Sequence, residues 1–173
     1  MARYLELRRH TDSDGDVLTD EGVRAALEIG QRLTGPYALL VSSGAQRSTQ
    51  TLACFACMLA EPVSGGLIVE PGLRSEREDR WRAAHQTAGS GELSALRDAD
   101  PELAREDSQR LAAALRRVFD RIPDGARALV VGHSPTNEAS VFGLTGELVA
   151  PMSKGAGVLV VAEGDRTRVE PLS

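Results

Sequence analysis

The stretch ALVVGHSPTNEA, residues 128–139, decides the reading of the fold. Ala128 to Val131 is a short apolar run of small and β-branched residues, which suits a strand covered on both faces. Polar residues follow at once with Gly132, His133 and Ser134. Ser134 is placed to cap a helix, and Pro135 suits that helix's first position. Strand, short polar turn and helix in immediate succession form the unit from which parallel sheets are built.

The same succession occurs twice upstream. RYLEL, Arg3 to Leu7, reads as a first strand and runs into RRHT. An Asp- and Gly-rich loop, TDSDGD, follows, and a helix is expected from about Thr19. Asp20 and Glu21 stand in its first turn, where they complement the helix dipole. Val23, Ala26, Leu27, Gly30 and Leu33 give it an inner face, and GPY ends it. ALLV, Ala38 to Val41, reads as a second strand. Ser43 and Gln46 then stand at capping-box spacing and open a helix through about Leu59.

GLIVE, residues 66–70, is a third short strand, and residues 72–99 read as polar and irregular. Pro101 opens a long helix capped by Asp100, with Leu111, Leu115, Val118 and Ile122 as its buried stripe. The chain closes with two strands joined by a turn at Gly164 and Asp165. This alternation predicts one domain over residues 1–173. The expected fold is α/β, a three-layer α/β/α sandwich with a mostly parallel central sheet.

The bulk numbers fit that reading. The chain has 173 residues, of which 42% are hydrophobic, enough for a real core. Its net charge of −5 supplies no global attraction for nucleic acid or anionic lipid, so an anion site has to be a local cluster of cations. No apolar run reaches the ~20 residues of a membrane span. The N-terminus lacks the apolar core of a secretory signal, so a cytoplasmic location is expected. Cys54 and Cys57, in LACFAC, have no second Cys/His pair at ligand spacing; they are expected to be small core residues, and no metal site is expected.

Ligands in open α/β sheets bind beyond the carboxyl ends of the strands. The residues there are RRHT, SSGAQR and GHSP, which place Arg9, His10, Arg47 and His133 around one crevice. Guanidinium groups stay charged and offer planar forks to phosphate oxygens. Imidazole can serve as nucleophile, acid–base group or donor. Helix N-termini would add backbone N–H groups. The combination favours a tetrahedral oxyanion.

At this point the residues carry a resemblance. LELRRHT…LTDEG, LLVSSGAQRSTQTL and ALVVGHSPTNEA resemble, in order, the three motifs of the histidine phosphatase superfamily, with its phosphoglycerate-mutase-like fold. The resemblance implies that His10 is the nucleophile that becomes phosphorylated, while Arg9, Arg47 and His133 bind the phosphoryl group. It implies no metal and no cofactor. Thr11 stands where the family most often has glycine, so its backbone is expected to stay at negative φ. SSGAQR lacks the commoner proline.

Hydrolysis also needs an acid for the leaving oxygen. Many relatives use a carboxylate after the third strand, and in PGLRSEREDRW Glu76 is the match; Glu78, Asp79 and the first-loop Asp12, Asp14 and Asp16 are the alternatives. The compact length resembles the SixA-like phosphatase branch.

The remaining polar residues read more plainly. Arg8 is expected at a solvated strand end and His85 at an exposed position or substrate rim. Trp81 is expected at the core edge, while Lys154 has no compelled role. The expected function is a metal-independent phosphatase acting on a phosphorylated small molecule or phosphoprotein, with no nucleic acid or membrane partner. Mutase-type phosphotransfer and a non-catalytic phosphate-binding module are the competing readings.

Overall fold

A computed structural model describes residues 1–172. Strand β1 (Arg3–Arg9) runs into a two-residue hairpin pair, β2 (Ser13–Asp14) and β3 (Val17–Leu18), and then into α1 (Asp20–Arg32). Next come β4 (Leu39–Ser42), α2 (Gln46–Met58) and β5 (Leu67–Val69). A single 3₁₀ turn, Pro71–Leu73, leads to α3 (Glu78–Ala88), α4 (Leu93–Ala99) and α5 (Pro101–Asp120). The chain closes with β6 (Arg127–Gly132), α6 (Thr136–Thr145), β7 (Gly157–Glu163) and β8 (Arg166–Pro171).

The main sheet has six strands in the order β5-β4-β6-β1-β7-β8. The first four are mutually parallel, and β7 and β8 are added antiparallel at the β1 side. Alternation along the strands splits the core. Leu5, Leu7, Leu39, Val41, Ala128 and Val130 face α5 and α6, where Leu115, Val118, Phe119 and Val141 cover them. Leu40, Leu129 and Val131 point the other way, onto Ala26 of α1 and Leu52 and Phe55 of α2. Both faces are covered, so β4 and β6 read as unbroken apolar runs. The three-layer α/β/α sandwich with a mostly parallel sheet is thus present.

Residues 72–99 are not irregular. Two helices, α3 and α4, pack Trp81, Ala84, Leu93 and Leu96 against Leu103 and Leu111 of α5 and Ala139 of α6. The inward positions of α3 are Trp81, Ala84 and Ala88, a helical spacing whose signal is weak because two of the three are alanine. Asp107 anchors this subdomain: its Oδ2 accepts from Trp81 Nε1 and from Ser75 Oγ, both at 2.6 Å. Trp81 is therefore buried at the core edge, as expected, and held in one orientation.

Two expected caps are corrected. Thr19 caps α1 and Asp100 caps α5, through Gly22 N–H and Leu103 N–H respectively. Neither Ser43 nor Ser134 caps its helix: α2 starts from Ala45 and α6 from Pro135, with no side-chain cap from either residue. Both hydroxyls are drawn instead to buried partners, Ser43 to His133 and Ser134 to Glu138. The cysteine reading is corrected too. The buried stripe of α2 is Ser48, Thr51, Leu52 and Phe55, which leaves Cys54 half-buried and Cys57 exposed. No helix among the described residues is long and apolar enough to cross a membrane.

Candidate active site

Strands β4, β6 and β1 are neighbours, so their carboxyl ends bring the three polar turns together. His10 follows β1, and its N–H donates to Gly132 O across to β6 at 3.0 Å. His133 follows β6, and the two imidazole centroids lie 5.4 Å apart with the rings 62° to each other. Gly132 leaves room for the Asn137 amide: a Cβ there would sit 2.4 Å from Asn137 Oδ1 and displace it. That side chain stitches the floor, accepting from His133 N–H at 3.2 Å and donating to Arg8 O at 3.1 Å.

Local bonds settle the tautomers. His10 Nδ1 lies 2.7 Å from Thr11 O, which can only accept, so Nδ1 carries the proton and Nε2 the lone pair. Thr11 keeps the negative φ expected of a β-branched residue, and it is buried with its N–H on Thr51 Oγ1 at 3.2 Å. Burial pulls the His10 pKa from 6.5 to about 4, helped by the charges of Arg47, Arg9 and Lys154 and opposed by the bond to Thr11. His10 is thus a neutral, oriented imidazole at pH 7.

His133 takes the opposite tautomer. Arg47 donates an Nη2–H to its Nδ1 at 3.2 Å, so Nε2 carries the proton and donates to Ser43 Oγ at 2.7 Å. Burial, then Arg47, His10 and Arg74, lower its pKa to about 3.

Arg47 is held from a third direction. Its Nη1 donates to Asp16 Oδ1 at 2.9 Å, while the Asp16 carboxylate also accepts from the Gln46 and Arg47 N–H groups at 3.2 Å. Asp16, from the β2–β3 hairpin, thereby caps α2 across thirty residues of sequence. Burial opposes its ionisation, but those amides and the guanidinium hold its carboxyl below the usual range. No local spacing rule connects Asp16 to Gln46, so along the chain it stands only as one acidic option among several.

Arg9 is half-buried and donates Nη1–H to Met152 O at 3.0 Å. Its neighbour Arg8 is not a solvated strand end: its side chain is 16% exposed, pairs with the buried Glu6 at 2.8 Å and donates to Gly155 O. Alternation sends it to the other face of β1 from Arg9. Lys154 does reach the site, pairing with Asp12 and adding its charge to those acting on His10.

A cleft of about 380 Å³ opens from His133 and Arg47, walled by Trp81, Pro135 and Ser75, with His85 on its rim. His85 is exposed there, as expected. The expected acid does not join it. Glu76 is exposed and lines a separate depression beside Pro71 and Arg110. Glu78, two residues on and in the first turn of α3, is the carboxylate from that segment that lines the cleft, where it accepts from Arg74 Nε at 2.8 Å. The turn into α3 separates the two, and the sequence reading had no helix there. Among the described residues no group of His, Cys, Asp and Glu is arranged to hold a metal ion.

Two histidines of opposite tautomer are thus set among fixed guanidinium groups at the strand ends, one of them with a free ring nitrogen. The chain belongs to the histidine phosphatase superfamily (branch 1), whose sequence profile matches residues 3–157.

Solved structures share the fold. A phosphoglycerate mutase from Bacillus anthracis str. Sterne is 20% identical with a TM-score of 0.76, over 99% of this chain and 92% of that one. A mutant phosphoserine phosphatase from Entamoeba histolytica, in complex with phosphoserine, is 17% identical with a TM-score of 0.69, over 96% and 94%. The protein histidine phosphatase SixA, complexed with tungstate, is 19% identical with a TM-score of 0.56, over 98% and 94%. Comparison with curated proteins by sequence gives no match.

Proposed function

We propose that this protein is a phosphatase that hydrolyses a phosphomonoester or phosphoprotein through a phosphohistidine on His10. The observation that carries this reading is the tautomer of His10: the Thr11 carbonyl fixes the proton on Nδ1 and leaves a lone pair on Nε2 among cations. Nε2 attacks phosphorus as the P–O bond to the leaving group breaks. Water then attacks the phosphohistidine, releasing inorganic phosphate and restoring the neutral ring.

Arg9, Arg47 and His133 hold the three equatorial oxygens, where charge develops. An arriving phosphate offsets the positive charges that depress His133, so its Nδ1 takes a proton and becomes a donor as Arg47 turns to the anion. On this reading Glu78, which lines the cleft wall from α3, protonates the leaving oxygen as the carboxylic acid and regains the proton from the attacking water. The guanidinium groups supply the charge that a metal supplies elsewhere, so turnover is expected to need none.

Hydrolysis of an aryl phosphate in excess EDTA tests this. Wild type should turn over, and His10→Ala should lose about 10³-fold or more, as nucleophile removal does. Alkaline quenching should trap a phosphoenzyme that is stable to base and lost in acid. Glu78→Gln should slow an alkyl phosphate more than an aryl one, because a phenolate leaves without a proton. Turnover that persists in His10→Ala overturns the mechanism.

A further inference from the structure

The segment from Pro151 to Ala156 crosses the carboxyl end of β1 beside His10. Gly155 N–H donates to Arg9 O at 3.1 Å, and Arg8 donates to Gly155 O at 2.9 Å. Met152 is its buried anchor, 5% exposed. The Met152 carbonyl accepts from Arg9 Nη1 at 3.0 Å, and the Met152 N–H donates to Glu138 Oε1 at 2.7 Å. One residue's backbone therefore stands between Arg9 and Glu138.

Glu138 is an unusual residue to find there. It lies on α6, is 1% exposed, and among the described residues forms no salt bridge. Oε1 takes a second bond, from Ser134 Oγ at 2.6 Å. Oε2 and Arg9 Nε are both buried with no partner. A complementary donor and acceptor are thus left unjoined: Glu138 makes no hydrogen bond to Arg9, although the Arg9 charge lies close enough to act on its carboxyl. Burying a carboxyl costs free energy, and half of this one is unsatisfied. Its other oxygen does one thing for the site: it fixes the residue whose carbonyl fixes Arg9.

We propose that Glu138 is a positioning residue for the anion site, acting on the Arg9 guanidinium through the backbone of Met152. The proposal builds on the phosphatase reading but concerns anion binding alone. Arg9 has a long flexible side chain, and one well-aimed bond to a carbonyl removes much of its freedom before phosphate arrives.

Calorimetric titration with inorganic phosphate tests it without reading turnover. Glu138→Leu keeps the volume but removes both acceptors, and should weaken phosphate binding about tenfold, the worth of one charge-assisted hydrogen bond. In an Arg9→Gln background the same substitution should add nothing, because the path it acts through is gone. Glu138→Gln keeps a carbonyl for Met152 and should recover most of the loss.

Equal weakening in both backgrounds overturns the proposal, since that is what general loosening of the core would give. Wild-type affinity in a folded Glu138→Leu also overturns it. If the leucine variant does not fold, a tenfold loss in Glu138→Gln does the same. A wild type that binds phosphate without turning substrate over would end the phosphatase reading and leave this one standing. A wild type that binds no phosphate ends both.

Discussion

A proton on Nδ1 of His10 and one on Nε2 of His133 make two identical side chains into different reagents. The partners are a backbone carbonyl for the first, and an arginine with a serine hydroxyl for the second. Burial and neighbouring cations keep both neutral, with pKa values of about 4 and about 3. An NMR titration of the ring C–H signals checks this. In phosphate-free protein those of His10 and His133 should hold still from pH 8 to 5 and move only below it, and added phosphate should raise both midpoints. A midpoint near 6.5 for either ring would mean that the empty site is not cationic enough to hold it neutral. Glu76 belongs to this scale as well. Counting from the motif points to Glu76, which is exposed outside the cleft, whereas the helix start two residues on brings Glu78 onto the cleft wall.

At the scale of the element, α2 shows how the site is fastened. Its N-terminus has no cap of its own and borrows Asp16 from a hairpin on the preceding loop, which also takes one side of Arg47. Asp16→Ala should therefore cost about 1 kcal/mol of stability, the usual loss of a cap, and in addition raise KM for a phosphate ester by freeing Arg47. Asp16→Asn should recover most of the stability, because an amide oxygen still accepts from the two N–H groups. Denaturant melts and steady-state kinetics on both variants separate the effects. Equal kinetics in the alanine variant and wild type would show that Arg47 is held by His133 alone. The α3 wall is fastened from the far side by Asp107, whose single oxygen holds both Trp81 and Ser75.

The whole molecule pays for this site at low pH. Both histidines have folded pKa values below the unfolded 6.5, so between pH 6.5 and about 4 the unfolded chain binds more protons than the folded one. Stability should fall as pH drops through that window. Glu138 works the other way, since burial raises its pKa and favours the folded state as the medium becomes acidic. The two histidines outnumber it, so thermal melts should show a lower Tm at pH 5 than at pH 7. His133→Asn should flatten the dependence, and saturating phosphate should reduce it by raising the histidine pKa values in the folded state. A Tm that rises towards pH 5 would show that Glu138 dominates.

Much of this was legible along the chain. Periodicity and turn chemistry placed β1, β4, β6, α1, α2 and α5 to within a few residues, because each is a continuous apolar run or stripe with local punctuation. Four of the site residues, Arg9, His10, Arg47 and His133, were visible because each sits at or just after the end of a strand or in the first turn of the following helix. The α3–α4 subdomain was not, since alanines carry its inner face and its packing partner is α5. The caps of α2 and α6 were misread for a related reason. Ser43 and Ser134 had the right spacing, but a buried histidine and a buried carboxyl competed for their hydroxyls and won.

The sequence by itself determined the layers, the strand ends and the residue types gathered there, because those follow from short-range rules of helix, strand and turn. Only the tertiary structure decided what those residues became. The tautomers, the Asp16 cap, the Met152 bridge from Glu138 to Arg9 and the entry of Glu78 into the cleft all join positions far apart in the chain. Hydrogen bonds and charges act over a few ångströms, and which groups come that close is settled by the order in which the strands pack.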